Sequence, residues 1–118
     1  MSTSTRVRIA ASIVFLGIAL GAFGAHGLEE RLEETGRLDV WETATLYHLI
    51  HGIAMFIVAT KTRARGFFWF LAGIVVFSGS LYALAVTGIT KFGAITWIGG
   101  LSFLVGWARW IFAKQPAD

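Results

Sequence analysis

The chain has 118 residues, of which 56% are hydrophobic and none is cysteine, and its mean hydropathy is +0.70. This composition is too apolar for a water-soluble domain of such a length, so it indicates a protein that is solvated by lipid. The lack of cysteine excludes disulfides and thiolate metal ligands, and the net charge of +3 is distributed as a membrane-topology signal rather than as a nucleic-acid-binding patch.

The first apolar run follows Arg6 and Arg8 and predicts a membrane helix over about residues 8–28. Its start resembles a secretory signal peptide, and Ala22-Phe-Gly24 fits a small-x-small cleavage rule. The run is long for a signal peptide and further spans follow it. We therefore expect this helix to be retained.

Glycines recur at helical spacing in the first and last apolar runs. Gly17 and Gly21 form a G-x-x-x-G pattern that Gly24 continues on the same face, which predicts close approach of another helix. Glycine as mere composition of a membrane helix is the alternative. The same packing role is predicted for Gly99, Gly100 and Gly106 near the C-terminus.

Residues 29–39 hold five of the seven acidic side chains and predict an aqueous connection. A solvated loop without further role is the favoured interpretation. The alternative is a short amphipathic helix that lays Leu28, Leu32 and Leu38 on the interface and ends at Gly36.

The second span is predicted at about residues 40–60, with Asp39 as N-cap and Glu42 reaching back as a capping box. No charged residue follows Glu42 within the span, yet the segment carries His48 and His51 well inside the bilayer. A compact basic turn over residues 61–66 ends it.

Two further spans are predicted at about 67–87 and 94–112, and residues 113–118 form a polar tail that we expect to fray. The fold class is therefore all-α, an integral membrane four-helix bundle formed by a single transmembrane domain, 1–118. Because the connections are short, sequential helices should pack as antiparallel neighbours.

The distribution of Lys and Arg predicts the orientation. The N-terminal segment, the second connection and the C-terminal end carry seven of the ten basic residues: Arg6, Arg8, Lys61, Arg63, Arg65, Arg109 and Lys114. The first and third connections carry Arg31, Arg37 and Lys91. Both termini are thus expected in the cytoplasm, with the protein in the cell (inner) membrane.

Polar side chains inside the second and third spans form the candidate site. Helical spacing turns the histidine face inward, and the opposite direction of the third helix brings a Ser-Gly-Ser-Leu-Tyr segment to similar depths. Unpaired polar atoms are costly in lipid, so hydrogen bonds are expected between the histidines and this segment. The candidate polar cluster consists of Tyr47, His48, His51, Ser78, Ser80 and Tyr82.

Functions other than structural hydrogen bonding are also open to these groups. His48 and His51 at i, i+3 suggest a metal or haem site, but His26 lies too far along the membrane normal to join them and no carboxylate shares their depth. An intramembrane ionisable group also admits a proton relay or substrate path. Nucleophilic hydrolysis lacks an acidic orienter.

Four segments, one in or after each span, carry a family resemblance. They are Gly21-Ala-Phe-Gly-Ala-His-Gly, Tyr47-His-Leu-Ile-His, Phe77-Ser-Gly-Ser-Leu-Tyr and Thr96-Trp-Ile-Gly-Gly-Leu-Ser-Phe-Leu-Val-Gly-Trp. In this order they resemble the small YgdD-like membrane proteins, a bacterial family of unknown function with a mitochondrial relative.

The resemblance implies a compact four-span inner-membrane protein without an assigned reaction, in some bacteria linked to membrane integrity and stress tolerance. It highlights His26, Tyr47, His51, Ser78, Ser80 and Tyr82. His48 stands where relatives can have glutamine, which weakens a paired-histidine metal site. Trp97 stands where a proline is common, so a family kink before the last helix is in doubt.

The sequence as a whole predicts a structural or partner-binding membrane component that is not an enzyme and holds no cofactor. Its expected partners are the lipid bilayer and either a second copy, through a glycine-lined face, or another membrane protein; no nucleic-acid partner is expected. The alternatives are a small transporter or channel with a polar path at His48 and His51, and a metal-binding or haem-binding protein.

Overall fold

The computed structural model describes residues 1–116 and is all-helical over that range. Four helices are long and apolar enough to cross a bilayer, and one short helix joins the first two. Their bounds are α1 Thr3–Ala25, α2 Glu29–Thr35, α3 Leu38–Ala59, α4 Phe67–Thr87 and α5 Gly93–Ile111. The fold class predicted from the sequence is confirmed. The last two residues of the predicted polar tail, 117 and 118, lie outside the described residues.

Consecutive long helices pack against each other, α1 on α3, α3 on α4 and α4 on α5. Two tertiary hydrogen bonds show their antiparallel direction. Arg6 Nε near the start of α1 donates to the Ala59 carbonyl at the end of α3 (3.2 Å), and Trp110 Nε1 near the end of α5 donates to the Arg65 carbonyl before α4 (2.8 Å). The start of α1, the 60–66 loop and the end of α5 therefore share one end of the molecule, named here the basic end.

Helix α1 begins and ends earlier than the predicted 8–28. The Ser2 side chain caps its start by accepting from the Thr5 backbone N–H (3.1 Å). The helix ends at Ala25 because the Leu28 N–H folds back to the Phe23 carbonyl (2.9 Å) and closes a turn. This turn leads the chain directly into α2.

The acidic connection is a helix that ends at Gly36, as the alternative prediction had it, so the favoured interpretation of a plain solvated loop is wrong. Leu32 packs inside the bundle, however, and does not lie on the membrane interface as that alternative expected. Leu32 is fully buried in a small cluster with Trp41 and Ala85. Gly36 ends α2 in the left-handed conformation (φ 67°), which glycine adopts without steric cost. Burial of a leucine stabilises by about 1.5–3 kcal/mol, and this supplies the drive for a two-turn helix that would not form alone.

Helix α2 also covers the C-terminal end of α4. Thr35 Oγ1 donates to the Ala85 carbonyl (2.8 Å), and Arg31 Nε donates to the Val86 carbonyl (2.9 Å). The last carbonyls of a helix have no partner within that helix. Side chains of α2 therefore complete the hydrogen bonding at this second end of the molecule, named here the acidic end.

The predicted capping box at the start of α3 is absent from the described structure. Arg37 is the N-cap and makes no side-chain capping bond, while Asp39 lies inside the first turn. The helix starts earlier because Leu38 joins the cluster around Leu32. An acidic side chain in the first turn still interacts favourably with the helix dipole.

Helix α4 contains one π-helical turn, Ile74–Ser78, and this turn packs directly against α5. A Cβ on Gly73 would overlap the ring of Phe103, and a Cβ on Gly99 would overlap the backbone of Phe77. The wider π turn thus coincides with direct backbone contact between the two helices.

The main core fills the space between the four long helices toward the basic end. Its buried members are Ala10, Ala54, Met55, Val58, Ala59, Phe67, Phe70, Ile74 and Phe103. Helices α1 and α5 bury only 17% of their apolar windows, against 50% for α3. Helix α3 is therefore the central element, and the outer faces of α1 and α5 are available to lipid.

Candidate functional site

His48 links three helices through both ring nitrogens. Its Nε2 lies 2.8 Å from the Ile13 carbonyl of α1, and its Nδ1 lies 2.9 Å from the Tyr82 hydroxyl of α4. A carbonyl only accepts, so Nε2 carries the proton and Nδ1 accepts from Tyr82. Tyr82 Oη also lies 3.5 Å from Thr45 Oγ1, which donates to the Trp41 carbonyl (3.0 Å). This set is the His48 network.

His51 uses the opposite tautomer. Its Nδ1 lies 2.8 Å from the Tyr47 carbonyl and must donate, while its Nε2 accepts from Trp107 Nε1 of α5 at 3.0 Å. An indole N–H can only donate, so His51 is neutral in this arrangement. The imidazole also stacks on Phe103 with ring centroids 3.7 Å apart. This set is the His51 network.

The two networks leave no ring lone pair free for a ligand. Both histidines are buried, at 2% and 4% exposure. A metal ion at these two residues would have to displace the Tyr82 and Trp107 donors. Within residues 1–116 no three metal-ligating side chains converge, and His26 stands exposed beside the end of α1.

The two serines of the candidate cluster form hydrogen bonds with groups other than the histidines. Ser78 Oγ donates to the Ala44 carbonyl of α3 (2.7 Å), and Ser80 Oγ lies 2.6 Å from Thr96 Oγ1 of α5 and 2.9 Å from the Phe77 carbonyl. Of the Ser-Gly-Ser-Leu-Tyr segment, only Tyr82 bonds a histidine. The serines hold the helices together by separate contacts to α3 and α5.

Tyr47 belongs to the site by its ring and its carbonyl. The ring packs on Phe77 with centroids 4.8 Å apart and lies parallel to His51 at 6.1 Å. Its side chain is 40% exposed and borders a cavity of about 500 Å³ that opens between outward-facing residues of α5, including Trp97. This cavity reaches His51 from the side of the helix bundle.

The space beside most of the candidate packing glycines is occupied by other residues of the same chain. A Cβ added to Gly17 would lie 2.8 Å from Leu49 Cδ2 and 3.1 Å from His48 Cδ2. A Cβ added to Gly24 would overlap the Trp41 indole. A Cβ on Gly21 would lie 3.0 Å from Thr45 Cγ2, and a Cβ on Gly106 or Gly99 would overlap Phe70 or Phe77, respectively. A Cβ on Gly100 would make only an ordinary contact, at 3.8 Å from Phe77. The glycine-lined face predicted for self-association is thus occupied by α3.

Sequence reasoning missed the two tryptophans that complete the site. Trp107 Nε1 donates to His51 Nε2, and the 4% exposed Trp41 donates through Nε1 to the Leu20 carbonyl (2.9 Å). The available signal was spacing. Trp41 precedes Thr45 by four residues, and Trp107 follows Phe103 by four, so each shares a helix face with a residue that contacts another helix, although Trp107 itself remains 42% exposed.

These features define a class: a small four-span helical membrane protein whose intramembrane histidines are hydrogen-bonded inside the chain. The chain belongs to the family described as protein of unknown function DUF423, whose family model matches residues 20–100. The sequence-based assignment to a small bacterial membrane family of unknown function is confirmed at this level.

Curated relatives support the same assignment. The UPF0382 membrane protein YwdK of Bacillus subtilis is 43% identical over 107 residues, covering 83% of this chain and 85% of the relative. The UPF0382 membrane protein SSP2132 of Staphylococcus saprophyticus is 47% identical over 98 residues, covering 78% and 81%, respectively. A UPF0382 membrane protein of Staphylococcus epidermidis is 41% identical over 104 residues, covering 83% and 84%. No solved structure is significantly similar to this chain.

Proposed function

We propose that this protein is a structural or partner-binding component of the bacterial inner membrane, that it catalyses no reaction, and that it supports membrane integrity under stress. We also propose that the protein is YgdD-like, because four of its sequence segments resemble that family. The link to membrane integrity comes from that resemblance.

One observation supports the proposed structural role: every ring nitrogen of the two buried histidines is hydrogen-bonded to another group of the same chain. A catalytic or transport histidine needs a nitrogen that faces a substrate or a proton path. Three of the four ring nitrogens face a carbonyl, a hydroxyl or an indole N–H of a neighbouring helix, and His51 Nδ1 faces the Tyr47 carbonyl of its own helix. The arrangement suits a residue that fixes helix positions.

The proposed orientation has both termini in the cytoplasm. The basic end carries Arg6, Arg8 and the 61–65 loop, and cytoplasmic segments of membrane proteins are enriched in Lys and Arg. Association with a second copy or another membrane protein would use the outer faces of α1 and α5, because the glycine face of α1 already contacts α3.

The test is complementation of a strain lacking the gene. Deletion should raise entry of a membrane-impermeant dye during osmotic stress, and the wild-type gene should restore exclusion. His51→Gln should restore it too, since an amide can still donate to the Tyr47 carbonyl and accept from Trp107. Unchanged dye entry on deletion would contradict the integrity role, and failure of correctly folded His51→Gln would contradict the structural role of His51.

A small transporter is the second candidate, favoured by the cavity of about 500 Å³ that reaches His51. Proteoliposomes containing the purified protein distinguish the two. The structural role predicts ion and proton leak equal to that of empty liposomes. Flux that is present in the wild type and lost in His51→Ala would replace the structural proposal by transport.

A further inference from the structure

The basic end carries positive charge that no carboxylate of the described chain balances. Lys61, Arg63, Arg65 and Lys114 meet there, whereas every acidic side chain of residues 1–116 lies between Glu29 and Glu42. The ion pair found within residues 1–116 joins Arg31 to Glu34 at the acidic end (3.3 Å). Within residues 1–116 this end thus presents cations and no carboxylate, which favours an anionic ligand.

These four cations surround a cavity rather than a flat patch. It has a volume of about 660 Å³ and lies between the 61–65 loop and the segment from Trp110 to Pro116. We name it the basic cavity. Its level, just beyond the ends of α3 and α5, is the level at which phospholipid headgroups lie on a spanning protein.

The loop that forms this cavity is held from two sides. Trp110 donates through Nε1 to the Arg65 carbonyl (2.8 Å), and the Arg65 guanidinium carbon lies 5.8 Å from the centroid of the Trp110 ring, a cation–π distance. Arg6 donates to the Lys61 carbonyl (3.3 Å) and to the Ala59 carbonyl (3.2 Å). The cations are thus presented by an anchored loop, which lowers the entropy lost on binding.

An apolar groove continues from the basic cavity along the membrane-spanning helices. It has a volume of about 230 Å³ and shares two lining residues, Lys61 and Trp110, with the basic cavity. Its remaining walls come from α3, α4 and α5: Ala54, Ile57, Val58, Phe70 and Trp107. A cationic site that opens into a hydrocarbon-lined groove matches a molecule with an anionic head and an apolar tail.

We infer that this end of the protein binds an anionic phospholipid, with the phosphate in the basic cavity and one acyl chain in the groove. Guanidinium and ammonium groups form charge-assisted hydrogen bonds to phosphate oxygens. The groove selects a lipid over a free phosphate, since a free anion would leave it unfilled. The inference stands independently of the proposed structural role.

The experiment measures binding of fluorescent phosphatidylglycerol to the full-length protein in phosphatidylcholine nanodiscs near physiological salt. The double variant R63Q/K114Q should raise the dissociation constant about 30-fold, because each basic side chain near a membrane surface lowers that constant about fivefold. The matched control R8Q/R109Q removes the same charge from the same end without touching the cavity lining. It should change the affinity by less than about threefold, since both side chains are exposed, do not line the cavity and act on a bound headgroup only through screening solvent.

The tail groove is tested separately. Ile57→Trp places a large ring in the groove and should weaken phosphatidylglycerol binding, whereas Ile53→Trp, at a similarly exposed position of the same helix that does not line the groove, should not. Circular dichroism and thermal unfolding establish that each variant is folded. A folded Ile57→Trp protein that binds the lipid normally would overturn the groove assignment.

Three other outcomes would overturn the inference. Equal losses in R63Q/K114Q and R8Q/R109Q would mean diffuse attraction to an anionic surface. Equal binding of a fluorescent phosphatidylcholine would remove the role of charge. Displacement of the lipid by inorganic phosphate at concentrations comparable to those of the competing lipid would assign the cavity to a free anion instead.

Discussion

His48 and His51 lie three residues apart on α3 and serve different helices. His48 reaches the Ile13 carbonyl of α1, and it can do so because Gly17, one turn further along α1, has no side chain in the way: a Cβ there would lie 3.1 Å from the imidazole. The Ile13 carbonyl is in the helix interior and has a second lone pair to offer. Gly17 is therefore a hydrogen-bonding position as well as a packing position.

The Tyr82 hydroxyl should contribute measurably to stability. Tyr82→Phe leaves His48 Nδ1 without a donor in a low-dielectric interior, and the expected loss is about 0.5–2 kcal/mol of unfolding free energy. Reversible unfolding in mixed detergent micelles, followed by circular dichroism, measures it.

Tyr47→Phe is the matched control for that variant. In the described part of the chain the Tyr47 hydroxyl makes no hydrogen bond, and its side chain is 40% exposed. Its removal should cost less than about 0.5 kcal/mol. Equal losses for Tyr82→Phe and Tyr47→Phe would contradict a stabilising hydrogen bond between Tyr82 and His48.

At the scale of elements, α4 and α5 meet at glycines, and at Gly99 the contact is with the backbone of α4 itself. In lipid, helices associate through packing and small residues rather than through the hydrophobic effect. The π turn of α4 brings Phe77 directly against Gly99, while the neighbouring Gly100 faces open space apart from one contact at 3.8 Å. Adjacent glycines in the sequence thus have different structural roles.

Gly99→Ala should destabilise the protein by at least about 1–3 kcal/mol, since the added methyl group meets backbone atoms that cannot turn away. Gly100→Ala should be neutral or stabilising by up to about 1 kcal/mol, because alanine favours the helix. Thermal unfolding of the two variants in detergent measures the difference. Similar unfolding temperatures would show that α4 and α5 are further apart than described.

At the scale of the whole molecule, charge is separated along the long axis. The molecule extends 53 Å in its longest dimension, enough to cross a bilayer and its headgroup regions. Acidic side chains concentrate on α2 and the start of α3, and the cations of the two terminal segments and the 61–65 loop gather at the other end. A transmembrane protein with this asymmetry is expected to insert in one orientation.

The absence of native cysteine allows a direct test of that orientation. Ser4→Cys and Lys114→Cys should react with a membrane-impermeant maleimide only in inverted membrane vesicles, and Glu33→Cys should react in cells whose outer face is accessible. Reaction of Ser4→Cys from outside, or of the two terminal variants from opposite sides, would contradict the proposed topology.

The sequence by itself determined the all-helical class, the four apolar helices and the burial of the histidines, because lipid requires long apolar helices and penalises unpaired polar groups. Local sequence patterns predicted the ends of the helices less accurately. Asp39 and Glu42 fit a capping box, but the packing of Leu38 moved the helix start, and the buried Leu32 turned an acidic loop into α2.

Only the tertiary structure decided which groups pair. Ser80 and His48 are at similar predicted depths, yet Ser80 Oγ lies 2.6 Å from Thr96 Oγ1, while Trp107, from a different helix, completes His51. Depth along a helix follows from counting residues, since the rise is constant. Partner choice depends on helix rotation and interhelical distance, which are fixed by contacts such as Gly99 against Phe77 between residues far apart in the chain.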